Sequence, residues 1–284
     1  MNFSEWLRMA YGLFMGTSVQ YIKPTNRYLF PTKIVEVTKD LSIQLGGAGI
    51  VGVLHSEKEV LLINCNQSKA TQKLMSELSF LTPASIKALV ITNVFSDFYG
   101  GFAELKLSDF SFFAPKVNSS RINKYFREHL EPLKTNLSSV RENQTIHFGG
   151  YDVELEFFES CHSEGDLVVR IPELKVAFMG GLFYNQIHPI LRIQDGMDIL
   201  KWKKTLSHYI NNYPDYQFVP AEGELADVKD LQLFLDYLNA LTNPEIEFSY
   251  CRENYDWMEI PSQTSLEENF DLLRGIAKNF ITLD

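Results

Sequence analysis

The chain is 284 residues long, 45% hydrophobic, with 26 Lys and Arg against 36 Asp and Glu for a formal charge of -10. That balance excludes general nucleic-acid binding, which draws on a cationic surface. Three cysteines, Cys65, Cys161 and Cys251, are an odd number without metal-type spacing, which argues against a disulfide framework; reduced thiols and a cytoplasmic setting are expected.

The length suits one large core, and no repeat, linker or bilayer-length apolar run divides it, so a single domain without a transmembrane segment is expected. Near the start, Phe3, Trp6, Leu7, Ala10, Leu13 and Phe14 recur at helical spacing and predict an amphipathic helix over about 3–15. Its polar face holds one arginine, Arg8, which favours packing on its own domain or a partner subunit over lying on a membrane. The short apolar core Met9 to Met15 and the lack of an A-x-A site argue against a signal peptide.

Short apolar runs with Gly, Pro or Asn punctuation then predict strands at Lys33 to Val37, Ser42 to Leu45, Ile50 to His55 and Val60 to Asn64. A helix at Lys69 to Leu78 and a strand at Ile86 to Thr92 follow. Further strands are expected at Tyr151 to Phe158, Asp166 to Ile171 and Lys175 to Met179. Helices are expected at Gly196 to Tyr213, Ala226 to Leu241 and Leu266 to Phe280, the last being a C-terminal addition over about 265–281. In Lys201-Trp202-Lys203-Lys204 a solvated face with Trp202 turned inward is expected. Strands interleaved with helices predict a layered α/β architecture.

Four stretches carry the functional reading: the strand end Leu89-Val-Ile-Thr-Asn93-Val-Phe95-Ser-Asp97-Phe98-Tyr99-Gly100-Gly101; Glu159-Ser-Cys161-His162-Ser-Glu-Gly165-Asp166, leading to Gly180-Gly181; Leu182-Phe-Tyr184-Asn185-Gln-Ile-His188-Pro189; and Phe218-Val-Pro220-Ala-Glu222-Gly223. In order and spacing they resemble the H-x-H-x-D-H plus Gly-Gly, H-T-x-G-D, N-x-x-H-P and V-P-G-H-G segments of the metallo-β-lactamase superfamily. Gly46-Gly-Ala-Gly-Ile-Val-Gly52 and Val60-Leu-Leu-Ile-Asn64 resemble its glycine-rich strand and L-I-D-T-G strand end, with Asn64 in place of Asp. The resemblance covers about Thr38 to Leu241 and implies a four-layer αββα sandwich.

It also implies which positions would ligate metal: Asn93, Phe95 and His162 for the first ion; Asp97, Phe98 and Glu222 for the second; Gly181 for the bridging Asp. Only Asp97 and His162 keep the family's residue. A phenyl ring offers zinc no donor at the required distance of about 2 Å, so Phe95 and Phe98 each disable a subsite. No bound metal is expected, the alternative being a poor single zinc or iron site. Phe95, Phe98, Tyr99 and Tyr184 either fill the old cavity or line an apolar pocket with Asn93, His162 and Glu222 as polar handles. His188 shapes the pocket rim or is a structural loop histidine, and Cys161, next to His162 on a strand, faces the other way as a buried thiol.

The preferred reading is therefore a non-catalytic protein that binds a small molecule or a protein partner through the former active-site face. A hydrolase rebuilt on Asp97, His162 and Glu222, with one metal or by acid/base chemistry alone, is the first alternative. A structural subunit of a homo-oligomer is the second.

Overall fold

The computed structural model describes residues 32–105, 110–117, 136–259 and 265–281, with side chains at all but 136–137 and 276–281 of these. The amphipathic segment over 3–15 lies outside the described residues.

Short hydroxyl side chains make the first turns. Thr38 Oγ1 accepts from the amides of Asp40 at 3.3 Å and Leu41 at 3.1 Å, folding β1 (Lys33–Thr38) back on β2 (Leu41–Leu45). Ser56 Oγ accepts from Glu59 N at 3.2 Å between β3 (Val51–His55) and β4 (Glu59–Ile63). Helix α1 (Ser68–Leu81) then carries the chain to β5 (Ser85–Val90), which lies parallel to β4. With β6 (Ser111–Pro115) and β7 (Asn136–Val140) these form one sheet in sequential order, β1 to β7.

The second sheet runs β12-β11-β10-β9-β8, from β8 (Gln144–Phe148), β9 (Tyr151–Glu159), β10 (Gly165–Ile171), β11 (Val176–Tyr184) and β12 (Gln217–Glu222). The last two are parallel and joined through α3 (Ile199–Asn212); the one-turn α2 is Ser96–Tyr99. Helices α4 (Val228–Thr242), α5 (Phe248–Asn254) and α6 (Leu266–Ile281) complete the chain.

Strand alternation sends the apolar side chains of the central strands to two interiors. Leu61 and Ile63 on β4 meet Leu167 and Val169 on β10 and Phe178 on β11 between the sheets. Their neighbours Val60 and Leu62 join Leu74 and Leu78 of α1, while Val168 and Met179 join Trp202 and Leu206 of α3 and Phe234 of α4. Both faces of the central strands are covered, which gives a mixed α/β sandwich of four layers.

A charged cluster fastens α3 to its sheet. Arg170 on β10 donates through Nε to Glu156 Oε1 at 2.8 Å and through Nη2 to Glu154, and its guanidinium lies 4.5 Å from the Tyr213 ring centroid. The Tyr209 hydroxyl donates to the other oxygen of Glu156.

Among the boundaries that differ from expectation, three have clear local reasons. α3 and α4 start later than Gly196 and Ala226 because Asp198 and Asp227 cap them. Asp198 accepts from the amides of Leu200 and Lys201 at 2.9 and 3.1 Å, and Asp227 and Asp230 form a capping box. β11 does not stop at Met179: it continues through Gly180, at φ 53°, because Gly180 and Tyr184 pair with Pro220 and Glu222 of β12. Trp202 is fully buried, as the Lys-Trp-Lys-Lys pattern predicts, and its indole donates to Leu182 O at 2.8 Å.

Candidate functional site

Two side-chain amides shape the loops where the strands end. Asn64 and Asn66 both take positive φ, at 65° and 57°. Asn64 Oδ1 accepts from the amide and hydroxyl of Thr92 at 2.8 and 3.0 Å, tying β4 to the start of the Asn93 loop. Asn66 Nδ2 donates to Gly46 O and Gly49 O at 2.9 and 2.7 Å, and its Oδ1 accepts from Ala48 N at 3.1 Å, so one side chain folds the glycine-rich loop. Gly101 has no room for a side chain: a Cβ there would stand 1.8 Å from Thr71 Oγ1 of α1.

At this end the two sheets are joined. Leu167 N donates to Thr92 O at 2.8 Å, and Asn93 pairs with Asp166 as an isolated antiparallel bridge. Asn93 is fully buried. Its Nδ2 donates to Asp166 Oδ1 at 2.5 Å and Ser163 Oγ at 3.0 Å, and its Oδ1 accepts from Phe95 N at 3.1 Å. Asp166 is equally buried and also accepts from Ser163 N at 2.8 Å. The polar atoms of Asn93 are thus spent on this closure.

The aromatic positions pack as core. Phe98 is 4% exposed, Tyr99 2% and Tyr184 4%, while Phe95 is half-buried beneath the Arg192 guanidinium, 4.0 Å from its ring centroid. Asp97 lies in the first turn of α2, buried, and accepts from Gln67 Nε2 at 3.1 Å.

His162 is 1% exposed and sits among aromatic rings, 5.1 Å from Trp202 and 5.9 Å from Tyr184 between centroids. Its Nε2 is 2.9 Å from Ile190 O, whereas Nδ1 has no hydrogen-bond partner and lies 3.8 Å from Asp166 Oδ1. A Cβ on Gly181 would stand 2.5 Å from that Nδ1 and 3.0 Å from Cε1. The imidazole therefore takes up the space that a side chain at residue 181 would need. Cys161 and His162 lie in the turn between β9 and β10 and not on a strand, so strand alternation does not separate them: Cys161 Sγ is 3.4 Å from Thr205 Oγ1 of α3, the helix whose Trp202 packs on His162, and its thiol is pushed up to about 12 by burial.

Glu222, half-buried at the end of β12, borders a recess of about 20 Å³ with Gly46, Gly49, Ile187 and Met258, room for about one water. Among the described residues no group of three or more His, Cys, Asp or Glu is placed to hold a metal ion, so Asp97, His162 and Glu222 do not form one. His188 is buried elsewhere, 3.0 Å from the Tyr237 hydroxyl, at the floor of a separate cavity. Sequence reasoning did not single out Ser163, Asp166 or Arg192; the Gly165-Asp166 pair inside the quoted motif was the available signal for Asp166.

No family profile matches the chain, and no curated protein matches it in sequence. Solved structures do. A metallo-β-lactamase from Pontibacter korlensis superposes with a TM-score of 0.58 at 17% identity, covering 74% of this chain and 99% of that one. The DIM-1 metallo-β-lactamase gives 0.58 at 15% identity over 74% and 98%, and VMB-1 gives 0.57 at 20% over 75% and 98%. At these identities the likeness is one of architecture: the chain has the metallo-β-lactamase fold.

Proposed function

We propose that this chain is a non-catalytic protein of that fold, which binds a protein partner at the former active-site face, where the described residues leave a recess with room for about one water and not for a small organic ligand. The observation that carries the reading is the position of the His162 imidazole against Gly181, where a bridging carboxylate cannot stand without displacing it. Two further features support it: Phe95 and Phe98 bring no donor atom, and Asn93 is committed to Asp166 and Ser163. The residues present therefore do not fit the metal pair that the fold's enzymes imply.

Elemental analysis of the purified, untagged protein, expressed in zinc- and iron-supplemented medium and desalted, tests the reading. Metal far below stoichiometry is expected. Near-stoichiometric metal that is lost in His162→Ala or Glu222→Ala overturns it in favour of a rebuilt hydrolase. So does β-lactam, thioester or phosphodiester hydrolysis by the unaltered protein that His162→Ala abolishes.

A further inference from the structure

A groove of about 360 Å³ runs between α4 and α5, lined from the unbroken described stretch 233–255. Small-molecule sites commonly fall at about 300–1,000 Å³. At its base is Tyr255, 5% exposed and packed edge to face with Tyr237 and Trp257, each 5.3 Å away between ring centroids. A phenol buried to this degree ordinarily finds a hydrogen bond. The Tyr255 hydroxyl has no such partner among the described residues, and it is not sealed from solvent. The groove is the opening beside it.

Along one wall Asp236, Asn239 and Asn243 follow each other on α4 and its C-cap, spread over about 10 Å of helix axis. Across from them α5 brings Tyr250 and Asn254. These side chains keep polar capacity in hand. Asn239 makes no side-chain hydrogen bond among the described residues, Asn243 uses its Oδ1 for Glu245 N at 3.0 Å, and Asn254 uses its Nδ2 for Tyr250 O at 2.9 Å. Asp236 Oδ1 accepts from Gln232 Nε2 at 2.8 Å, which leaves Oδ2. Tyr250 is 47% exposed and its ring meets that of Tyr255 at 6.5 Å and 71°, so at least one of its faces stays open.

The lining selects against charge. Asp236 is the one ionised side chain among the described lining residues, so an anion finds no cation there and meets a carboxylate. A cation gains little, because that carboxylate is exposed and already hydrogen-bonded. Burial, with Tyr250 and Asp236 nearby, pushes the Tyr255 phenol up to about 12, which keeps it a neutral donor at physiological pH. A purely apolar ligand would cover amides and a phenol without pairing them. Hydroxyl groups, each both donor and acceptor, suit this set, and a face of C–H bonds suits the electron-rich face of Tyr250. Polar atoms on both sides of the groove call for hydroxyls around the ligand's rim and not along one edge.

We propose that the groove between α4 and α5 binds an uncharged sugar or cyclic polyol, its ring laid on Tyr250 and its hydroxyls on Asp236, Asn239 and Tyr255. The site shares no lining residue with the recess beside Glu222. It does not depend on what the former metal face binds, so the two readings fail separately.

The test is saturation-transfer NMR of the full chain with methyl β-D-glucopyranoside, cyclohexylmethanol and uracil. Saturable transfer to the ring C–H protons of the glycoside alone is expected, unchanged as salt rises. Tyr255→Phe keeps the packed ring and removes only the unpartnered hydroxyl, so it should weaken binding about fivefold with the melting temperature unchanged. Tyr250→Ala, at an exposed position, should abolish it. Equal or better binding of cyclohexylmethanol makes the groove an apolar site and overturns the proposal, and equal or better binding of uracil overturns it in favour of a planar amide. No transfer with the glycoside at millimolar concentration, or transfer indifferent to both variants, overturns it as well.

Discussion

Asn93 and Asp166, 73 residues apart in sequence, share a 2.5 Å hydrogen bond where the two sheets meet. The bond works because one partner is neutral: the amide supplies the proton that the buried carboxylate needs. Asn93→Asp would set two carboxyls side by side out of water, and one would have to bind a proton to be tolerated.

A cost of about 3 kcal/mol at neutral pH is expected for that substitution. Because the folded-state pKa of the new pair is raised, the variant should recover stability at acid pH and lose it as pH rises through that value. Urea midpoints from pH 4 to pH 8 check this. A deficit independent of pH would show that the hydrogen bond is not what closes the sheets.

His162 and residue 181 compete for one volume. Gly181→Asp should destabilise by about 1–3 kcal/mol from overpacking alone, before the buried charge is counted. His162→Ala in the same chain should return part of that loss, with a coupling of about 0.5–3 kcal/mol in a double-mutant cycle. Strict additivity would mean that the imidazole moves aside freely. Neither variant should gain stoichiometric zinc, since Phe95 and Phe98 remain.

Much of this arrangement was legible in the sequence because it is local. Glycines are required where the backbone leaves no room, as at Gly101 against Thr71 or Gly180 against Thr92, and short apolar runs with turn residues between them mark β1 to β5 and β9 to β11, whereas β6 and β7 were not expected. The pairing of Asn93 with Asp166 was not legible, being a tertiary contact with no spacing rule. β12 was hidden by Pro220, which is tolerated because the strand lies at the edge of its sheet. β8 was hidden by its polar, largely exposed Gln144-Thr145-Ile146-His147. Whether the aromatic rings filled or lined the old cavity depended on rotamers, which spacing does not encode.

The thiols set an alkaline limit. Cys161 is pushed up to about 12 by burial, and Cys65, fully buried, is raised further by the same cause. A raised folded-state pKa contributes stability that is present below the unfolded value near 9 and lost as pH climbs toward the folded one. Urea midpoints should therefore fall between pH 8.5 and pH 10.5, and less so in Cys161→Ala. In the native state at neutral pH a thiol reagent should react slowly with all three buried cysteines. Rapid stoichiometric labelling without unfolding would contradict this burial.

Arg170 serves two carboxylates and two tyrosine rings at once. Removing it leaves Glu156, 9% exposed, with the Tyr209 hydroxyl as its remaining side-chain donor in this cluster. Arg170→Met keeps much of the packing but strands that charge, so a loss of about 3–5 kcal/mol is expected. Arg170→Met with Glu156→Gln should lose less than Arg170→Met alone, because the amide does not carry the buried charge into the folded state. Chemical denaturation of the two variants decides it: if the double variant is the weaker, the guanidinium holds α3 through ring contacts and Glu154, and the charge on Glu156 is not what it answers.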